Sequence, residues 1–84
     1  MPTISRSIRL SKGGDGGVLL DVEQGTIFSL NTVGARIVEL LQAQQATPYI
    51  VNQISREFGA SEQTVSTDVT DFLRSLHERG LLEG

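Results

Sequence analysis

The sequence Val18-Leu-Leu-Asp-Val-Glu-Gln-Gly-Thr-Ile-Phe-Ser-Leu30 has the pattern of two β-strands joined by a tight turn. Gly25 lies between the two segments and can adopt a positive φ at little steric cost, as a hairpin turn requires. A two-stranded hairpin is only marginally stable alone, so this one must pack on the rest of the chain. The alternation, which has the period of a half-buried strand, involves Val18, Leu20 and Val22 before the turn and Phe28 and Leu30 after it.

Length and composition describe one small domain with little material for catalysis or metal binding. The 84 residues, taken as a single domain over 1–84, contain no cysteine and one histidine, His77. Disulfides and thiolate metal sites are therefore excluded, and we expect no metal and no cofactor. Asp68 and Asp71 are neighbours on a predicted helix. They have no evident pocket or partner for acid–base chemistry, and a solvated helix face accounts for Asp71. We therefore expect a binding protein and not an enzyme.

The sequence lacks the patterns of a membrane span and of a secretory signal peptide. No apolar run approaches the roughly 20 residues that span a bilayer, and the N-terminus lacks the apolar core of a signal peptide. We therefore expect a cytoplasmic protein that does not associate with membranes.

A short first strand is predicted over Ser5–Leu10, where Ile8 and Leu10 alternate with polar residues, and residues 1–5 are expected to be loosely held. The glycine-rich segment Gly13-Gly-Asp-Gly-Gly17 follows. Phosphate-binding loops of this composition lead directly into a helix N-terminus. Because a strand follows here, the segment predicts a flexible turn between two strands.

The first helix is predicted to begin after Asn31, whose side chain can accept a hydrogen bond from an otherwise unpaired N–H group. Gly34 lies inside this helix, where glycine costs about 0.8–1 kcal/mol relative to alanine. We expect the hairpin backbone to approach closely over Gly34. The apolar stripe, at helical spacing, consists of Val33, Ile37, Leu40 and Leu41.

Two further helices complete the predicted fold. Thr47-Pro48 indicates the start of the second helix, with Thr47 as N-cap and proline at the first helical position, and Gly59 indicates its end. Ser61 is the expected N-cap of the third helix, which Gly80 ends before Leu81-Leu82 returns to the core. The predicted fold class is α+β, a three-stranded antiparallel sheet followed by a three-helix bundle of winged helix-turn-helix type.

The turn Gly59-Ala60-Ser61 has the length found in helix-turn-helix motifs, which makes a DNA-binding regulator the alternative function. The third helix would then read bases with residues near its N-terminus. Residues 13–84, however, carry a charge of −6 against +3 for residues 1–12. Because phosphate neutralisation supplies much of the affinity for DNA, we expect no nucleic-acid partner.

If the first predicted strand pairs with the second, the third, Thr26–Leu30, is an unguarded sheet edge. It contains neither a charge nor a proline, which are the usual devices that protect an edge. An extended peptide could add to it through main-chain hydrogen bonds, unless the chain's own N-terminus covers this strand. An open edge can also pair with a second copy, so we expect a monomer or a weak, strand-swapped dimer.

Three segments in order resemble the PqqD-like family, also called the RiPP recognition element, where RiPP denotes a ribosomally synthesised and post-translationally modified peptide. The resemblance covers roughly residues 8–82. The segments are Val18-Leu-Leu-Asp-Val-Glu-Gln-Gly25, Phe28-Ser-Leu-Asn-Thr-Val-Gly-Ala-Arg-Ile-Val-Glu-Leu-Leu41 and Asp68-Val-Thr-Asp-Phe-Leu-Arg-Ser-Leu-His-Glu-Arg-Gly-Leu-Leu82.

The resemblance implies a protein that binds the leader segment of a precursor peptide as an added strand, between the third strand and the third helix. Members present this leader to a modifying enzyme or leader peptidase in pyrroloquinoline quinone, lasso peptide or radical-SAM peptide pathways. We expect Asp68 to pair with a basic or polar leader residue. Carried to this sequence, the leader-binding residues are Thr26, Ile27, Phe28, Ser29 and Leu30 on the strand and Thr64, Val65, Asp68, Val69 and Phe72 on the helix.

Overall fold

A computed structural model describes residues 3–83 and confirms the predicted α+β class. A three-stranded antiparallel sheet, in the order β2-β3-β4, precedes three helices, and a separate pair of two-residue strands joins the two ends. The elements are β1 (Thr3–Ile4), β2 (Ile8–Gly13), β3 (Gly16–Asp21), β4 (Thr26–Asn31), α1 (Thr32–Gln42), α2 (Thr47–Phe58), α3 (Glu62–Glu78) and β5 (Leu82–Glu83).

The N-terminal segment differs from the prediction of a single strand over Ser5–Leu10. Ser5 to Ser7 forms a turn instead, in which the Ile8 N–H donates to the Ser5 carbonyl at 3.1 Å. This turn brings Ile4 and Ile8 into the core together. Of residues 1–5, which were expected to be loosely held, 1 and 2 lie outside the described residues. Residues 3–5 are not loose, because β1 pairs with β5 and the Ser5 N–H donates to the Leu81 carbonyl at 2.9 Å.

Both predicted hairpin turns are present. Gly14-Asp15 joins β2 to β3, with Gly14 at φ +49°, and residues 22–25 join β3 to β4, with Gly25 at φ +70°. Asp21, for which the sequence predicts no role, is only 1% exposed. Its carboxylate accepts hydrogen bonds from the Glu23 and Gln24 N–H groups at 3.0 and 3.2 Å and so fixes the second turn.

The sheet has a buried face toward the helices and an outer face. Leu19 lies opposite Phe28 on the buried face, and Leu20 lies opposite Ile27 on the outer one. The alternating residues Val18, Leu20 and Val22 are therefore the exposed set before the turn, whereas Phe28 and Leu30 after it do pack against the core.

Two of the three predicted N-cap residues do cap their helices. Asn31 Oδ1 accepts a hydrogen bond from the Gly34 N–H at 2.7 Å, and Ser61 Oγ accepts one from the Thr64 N–H at 3.2 Å. The prediction of Thr47 as N-cap is wrong, since Thr47 is already helical and Ala46 occupies the cap without a side-chain hydrogen bond. Gly59, at φ +64°, ends α2 as predicted.

The core lies between the sheet and the helices and includes the C-terminal return. Gly80, at φ +73°, reverses the chain after α3, and Leu81 is buried as predicted. No helix within residues 3–83 is long and apolar enough to cross a membrane. The fully buried apolar side chains are Leu19, Ile37, Val38, Leu41, Ile50, Ile54, Val69 and Leu81.

Candidate functional site

The outer edge of β4 is open. β4 pairs with β3 on one side, and no strand in the described range 3–83 pairs with its other side. The opposite edge of the sheet, β2, carries Arg9 and Lys12, whereas Thr26–Asn31 carries no charge. Since β1 pairs with β5, the described N-terminal strand does not cover this edge.

The direction of the backbone N–H and C=O groups of β4 follows from one hydrogen bond of β3 and from the register of the two strands. The Val22 N–H donates to the Ser7 carbonyl at 3.0 Å, toward β2. Successive N–H groups of a strand point to opposite sides, so the Leu19 N–H points toward β4, where Phe28 is its partner. The backbone N–H and C=O groups of Phe28 therefore form hydrogen bonds with β3. The neighbouring residues of β4 that present N–H and C=O groups outward are Ile27 and Ser29.

A groove of about 340 Å³ runs beside this edge, between β4 and the second half of α3. Its walls are largely apolar, with Ser29, Ser75 and Arg79 as the polar contributors. A strand added to β4 would place alternate side chains in this groove. The lining residues are Leu19, Ile27, Phe28, Ser29, Leu30, Phe72, Ser75, Leu76, Arg79 and Leu81.

Gly34 gives Phe72 its room at the groove wall. A Cβ added at Gly34 would lie 3.4 Å from Phe72 Cε1, 3.6 Å from Leu30 Cδ2 and 3.2 Å from Asn31 Oδ1. The expected close approach of the hairpin backbone is therefore wrong, because the close neighbours are side chains. Glycine at this helical position lets the Phe72 ring pack directly against α1.

Arg79 lies at the other end of the groove. Its guanidinium carbon is 4.8 Å from the centre of the Phe28 ring, within the range of a cation–π contact. Across residues 3–83, the ion pairs within 4.0 Å do not include Arg79. The groove thus has a cation that is held by an aromatic ring and lacks a carboxylate partner in the described chain.

The structure places the sequence-predicted residues in two locations. All of the strand residues except Thr26, together with Phe72, line the groove. Val65 and Val69 are in the core, at 4% and 0% exposed. Asp68 is exposed beside them and shares a cavity of about 70 Å³ with Val33. Thr64 is exposed in the first turn of α3, and the buried hydroxyl of Thr26 has no hydrogen-bond partner in residues 3–83.

Of the residues of α3 and its C-cap that line the groove, the sequence prediction included Phe72 but not Ser75, Leu76 or Arg79. Ser75, Leu76 and Arg79 follow Phe72 at spacings of three, four and seven residues, which is one face of a helix. This spacing could have identified the three residues from the sequence, if the helix wall of the groove had been centred on Phe72 and not on Val65.

A second depression, of about 510 Å³, lies near the β2–β3 turn and is rich in charge. Arg36 donates to Glu57 at 2.8 Å and lowers the pKa of that carboxyl, and Lys12 donates to Glu39 at 3.0 Å and lowers the pKa of Glu39. The charges of this surface are thus paired with one another. No group of three or more potential metal-binding side chains occurs in residues 3–83.

Helices α2 and α3 do have the connection of a helix-turn-helix. The exposed side chains at the start of α3, where such a motif reads bases, belong to Ser61, Glu62, Gln63 and Thr64. None is basic, so this end of the helix offers no phosphate neutralisation.

Comparison with known proteins identifies the family. Residues 16–82 match the family described as Coenzyme PQQ synthesis protein D (PqqD). The chain belongs to the PqqD family. A search of curated proteins gives no significant match. Two solved structures are similar to the chain.

The two similar structures have the same fold as this PqqD family member along almost all of its length. TbiB1, solved in complex with the TbiA(beta) leader peptide, is 39% identical with a TM-score of 0.88, over 98% of this chain and 95% of that one. A lasso peptide synthetase B1 complexed with the leader peptide is 23% identical with a TM-score of 0.84, over 99% of this chain and 98% of that one. The second likeness establishes the fold alone.

Proposed function

We propose that this protein binds the leader segment of a ribosomal precursor peptide by β-strand addition to β4. It then delivers the precursor to a modifying enzyme or leader peptidase in the biosynthesis of a peptide natural product of lasso or pyrroloquinoline quinone type. The observation that carries the proposal is the open, uncharged edge of β4 beside an apolar groove. The similar TbiB1 was solved with a leader peptide bound, which supports the same class of ligand here.

The proposed site combines backbone and side-chain contacts. Outward N–H and C=O groups of Ile27 and Ser29 offer four hydrogen bonds, each worth about 1 kcal/mol net. Phe28, Leu30 and Phe72 offer apolar contacts for alternate side chains of the peptide. Such a site is consistent with micromolar affinity, which corresponds to about −8 kcal/mol.

The helix side of the site is proposed from the second half of α3. We assign Phe72, Ser75 and Arg79 to the wall, with Asp68 one turn beyond Phe72. The burial of Val65 and Val69 favours a role in the core for both. Thr64 lies a further turn from Asp68 and is not part of the assigned wall.

The role is that of a non-catalytic peptide carrier in the cytoplasm, where ribosomal precursors are made. The free protein is a monomer or pairs weakly through the same edge that takes the peptide, so that peptide binding and self-association compete.

The test is a titration of isotope-labelled protein with the leader of a small precursor peptide encoded beside its gene. We expect amide shifts concentrated in residues 26–31 and in the second half of α3. A DNA duplex added at low salt serves as the comparison and should leave the spectrum unchanged. Shifts at the start of α3 with DNA, and none with the peptide, would overturn the proposal in favour of a DNA-binding role.

A further inference from the structure

We propose that the groove selects its peptide by charge polarity: the bound segment carries an acidic residue at the Arg79 end and a basic residue at the Asp68 end, about five residues apart. This inference rests on the proposed function and specifies the chemistry of the ligand. An apolar groove alone would not determine where along the added strand the charges lie.

The first observation is a stripe along α3. Asp68, Phe72, Ser75 and Arg79 are separated by four, three and four residues, so they lie on one face of the helix. Phe72, Ser75 and Arg79 line the groove, and Asp68 continues the same line by one turn.

The second observation is that the two ends of this stripe carry opposite charges without partners. In the described part of the chain, neither Asp68 nor Arg79 has an oppositely charged group within 4.0 Å. Their neighbours Asp71 and Arg74 pair with each other at 3.3 Å. Since β4 has no charge, Asp68 and Arg79 are the charges that an added strand would meet along this wall.

The third observation is that Arg79 is positioned rather than free. Its guanidinium lies over the Phe28 ring, and Phe28 also lines the groove. A stacked guanidinium keeps its edge N–H groups available for a carboxylate. A peptide carboxylate at this end would therefore meet a cation already in place.

The distance between the two charges corresponds to about five residues of extended peptide. Eleven residues of helix separate Asp68 from Arg79, which is about 16 Å at 1.5 Å per residue. An extended peptide covers this length in about five residues at 3.3 Å each. From Phe28, which lies under Arg79, β4 continues for three residues to Asn31, or about 10 Å. An added strand would therefore pair with β4 at the Arg79 end and continue about two residues past Asn31 to reach Asp68.

The orientation of β4 relates the charge order to the direction of the peptide. Phe28 lies beneath Arg79, and Leu30 lies near Gly34 and Phe72, toward Val33 and Asp68. An antiparallel peptide would therefore have its basic residue N-terminal to its acidic residue, and a parallel peptide would have the reverse order.

The experiment is a selection from a displayed library of random 12-residue peptides on the folded wild-type protein. Binders that depend on the β4 edge are kept by discarding those that also bind Ser29→Pro, after circular dichroism shows that this variant is folded. Parallel selections use Arg79→Glu and Asp68→Lys. Asp71→Asn, which is on the same helix but off the stripe, is the matched control.

The expected result is enrichment of an acidic and a basic residue four to six positions apart, in one order. Individual wild-type binders should lose about fivefold in affinity on Arg79→Glu or Asp68→Lys and regain it when the facing peptide charge is reversed. Asp71→Asn should change affinity less than twofold. Edge-dependent binders without this charge pattern, or binders indifferent to both reversals, would overturn the inference and leave strand addition standing. No edge-dependent binders at all would overturn both this inference and the proposed function.

Discussion

The guanidinium of Arg79 lies over the Phe28 ring, with its carbon 4.8 Å from the ring centre. Arg79 is the C-cap residue of α3 and Phe28 is in the outer strand of the sheet. The contact therefore joins the two walls of the groove at one end, while Phe72 packed over Gly34 joins them to α1 at the other. Side-chain contacts thus connect the elements that form the groove at both of its ends.

The Arg79–Phe28 contact should be measurable as a coupling energy. In a double-mutant cycle of Arg79→Gln and Phe28→Leu, we expect a coupling of about 0.5–1 kcal/mol in the free energy of unfolding. Urea denaturation of the four proteins gives this value. A cycle that pairs Arg74→Gln with Phe28→Leu is the control, and its coupling should be close to zero.

Strand addition predicts a difference between two substitutions at one position. Ser29→Pro removes an outward N–H group without breaking the ladder to β3, so the protein should fold and lose peptide affinity about tenfold or more. Ser29→Ala keeps the N–H group and should bind normally. Isothermal titration with the precursor leader checks both, and equal affinity in two folded variants would contradict strand addition.

Gly16 should tolerate no side chain, unlike Gly13 across the hairpin. A Cβ at Gly16 would overlap the Leu30 carbonyl oxygen, whereas a Cβ at Gly13 has no atom within 4 Å. Gly16→Ala should therefore destabilise the fold by about 1–3 kcal/mol and shift the β4 amide resonances. Gly13→Ala, measured in the same thermal and chemical unfolding experiments, should be near neutral.

The buried carboxylate of Asp21 should matter through the turn that it holds. Asp21→Ala leaves the Glu23 and Gln24 N–H groups without their acceptor, at a cost of about 1–3 kcal/mol. Asp21→Asn keeps one acceptor oxygen and should lose less. If both variants unfold at the same denaturant concentration as the wild type, the hydrogen bonds do not stabilise the turn.

The Arg36–Glu57 pair predicts a dependence of stability on pH. Because Arg36 lowers the pKa of Glu57 in the folded state, the stability from this pair is present above the unfolded value of about 4.3. It is lost as the pH falls through the lower folded value.

Glu57→Gln should therefore cost up to about 1 kcal/mol near pH 7, and the difference from wild type should shrink below pH 4. Asp71→Asn, which breaks the more exposed pair with Arg74, is the control and should show almost no effect. A constant difference between Glu57→Gln and wild type from pH 7 to pH 3 would contradict the assignment.

The parts of the fold that local rules govern were predictable from the sequence. Gly25, Gly59 and Gly80 adopt positive φ at the ends that they were expected to mark, and Asn31 and Ser61 cap their helices. In each case the evidence lies within a few residues, where backbone sterics and unpaired N–H groups decide the conformation.

Features that depend on distant contacts were not predictable. The pairing of β1 with β5 joins residues from opposite ends of the chain, and no local pattern in Ser5–Leu10 reveals it. The buried face of β3 was ambiguous for a different reason. Val18-Leu19-Leu20 is apolar throughout, so only the helices that cover Leu19 determine which side faces inward.

The candidate site was likewise predictable only where the evidence lies within a few residues. The absence of charge and proline identified Thr26–Leu30 as an open edge, and this evidence is local. The half of α3 that faces the edge depends on how the helix crosses the sheet. The apolar stripe runs along the whole helix, from Val65 to Leu76, and its composition does not distinguish the groove from the core.

The pairing of Thr3 with Glu83 has a consequence for protein engineering. Residues opposite each other in antiparallel strands are about 5 Å apart, so the described chain enters and leaves the domain at one point. Neither residue lines the groove. The domain could therefore be spliced into a surface loop of an unrelated host enzyme through two short linkers, without spreading the ends of that loop. It would carry the groove with it as a portable peptide-capture module.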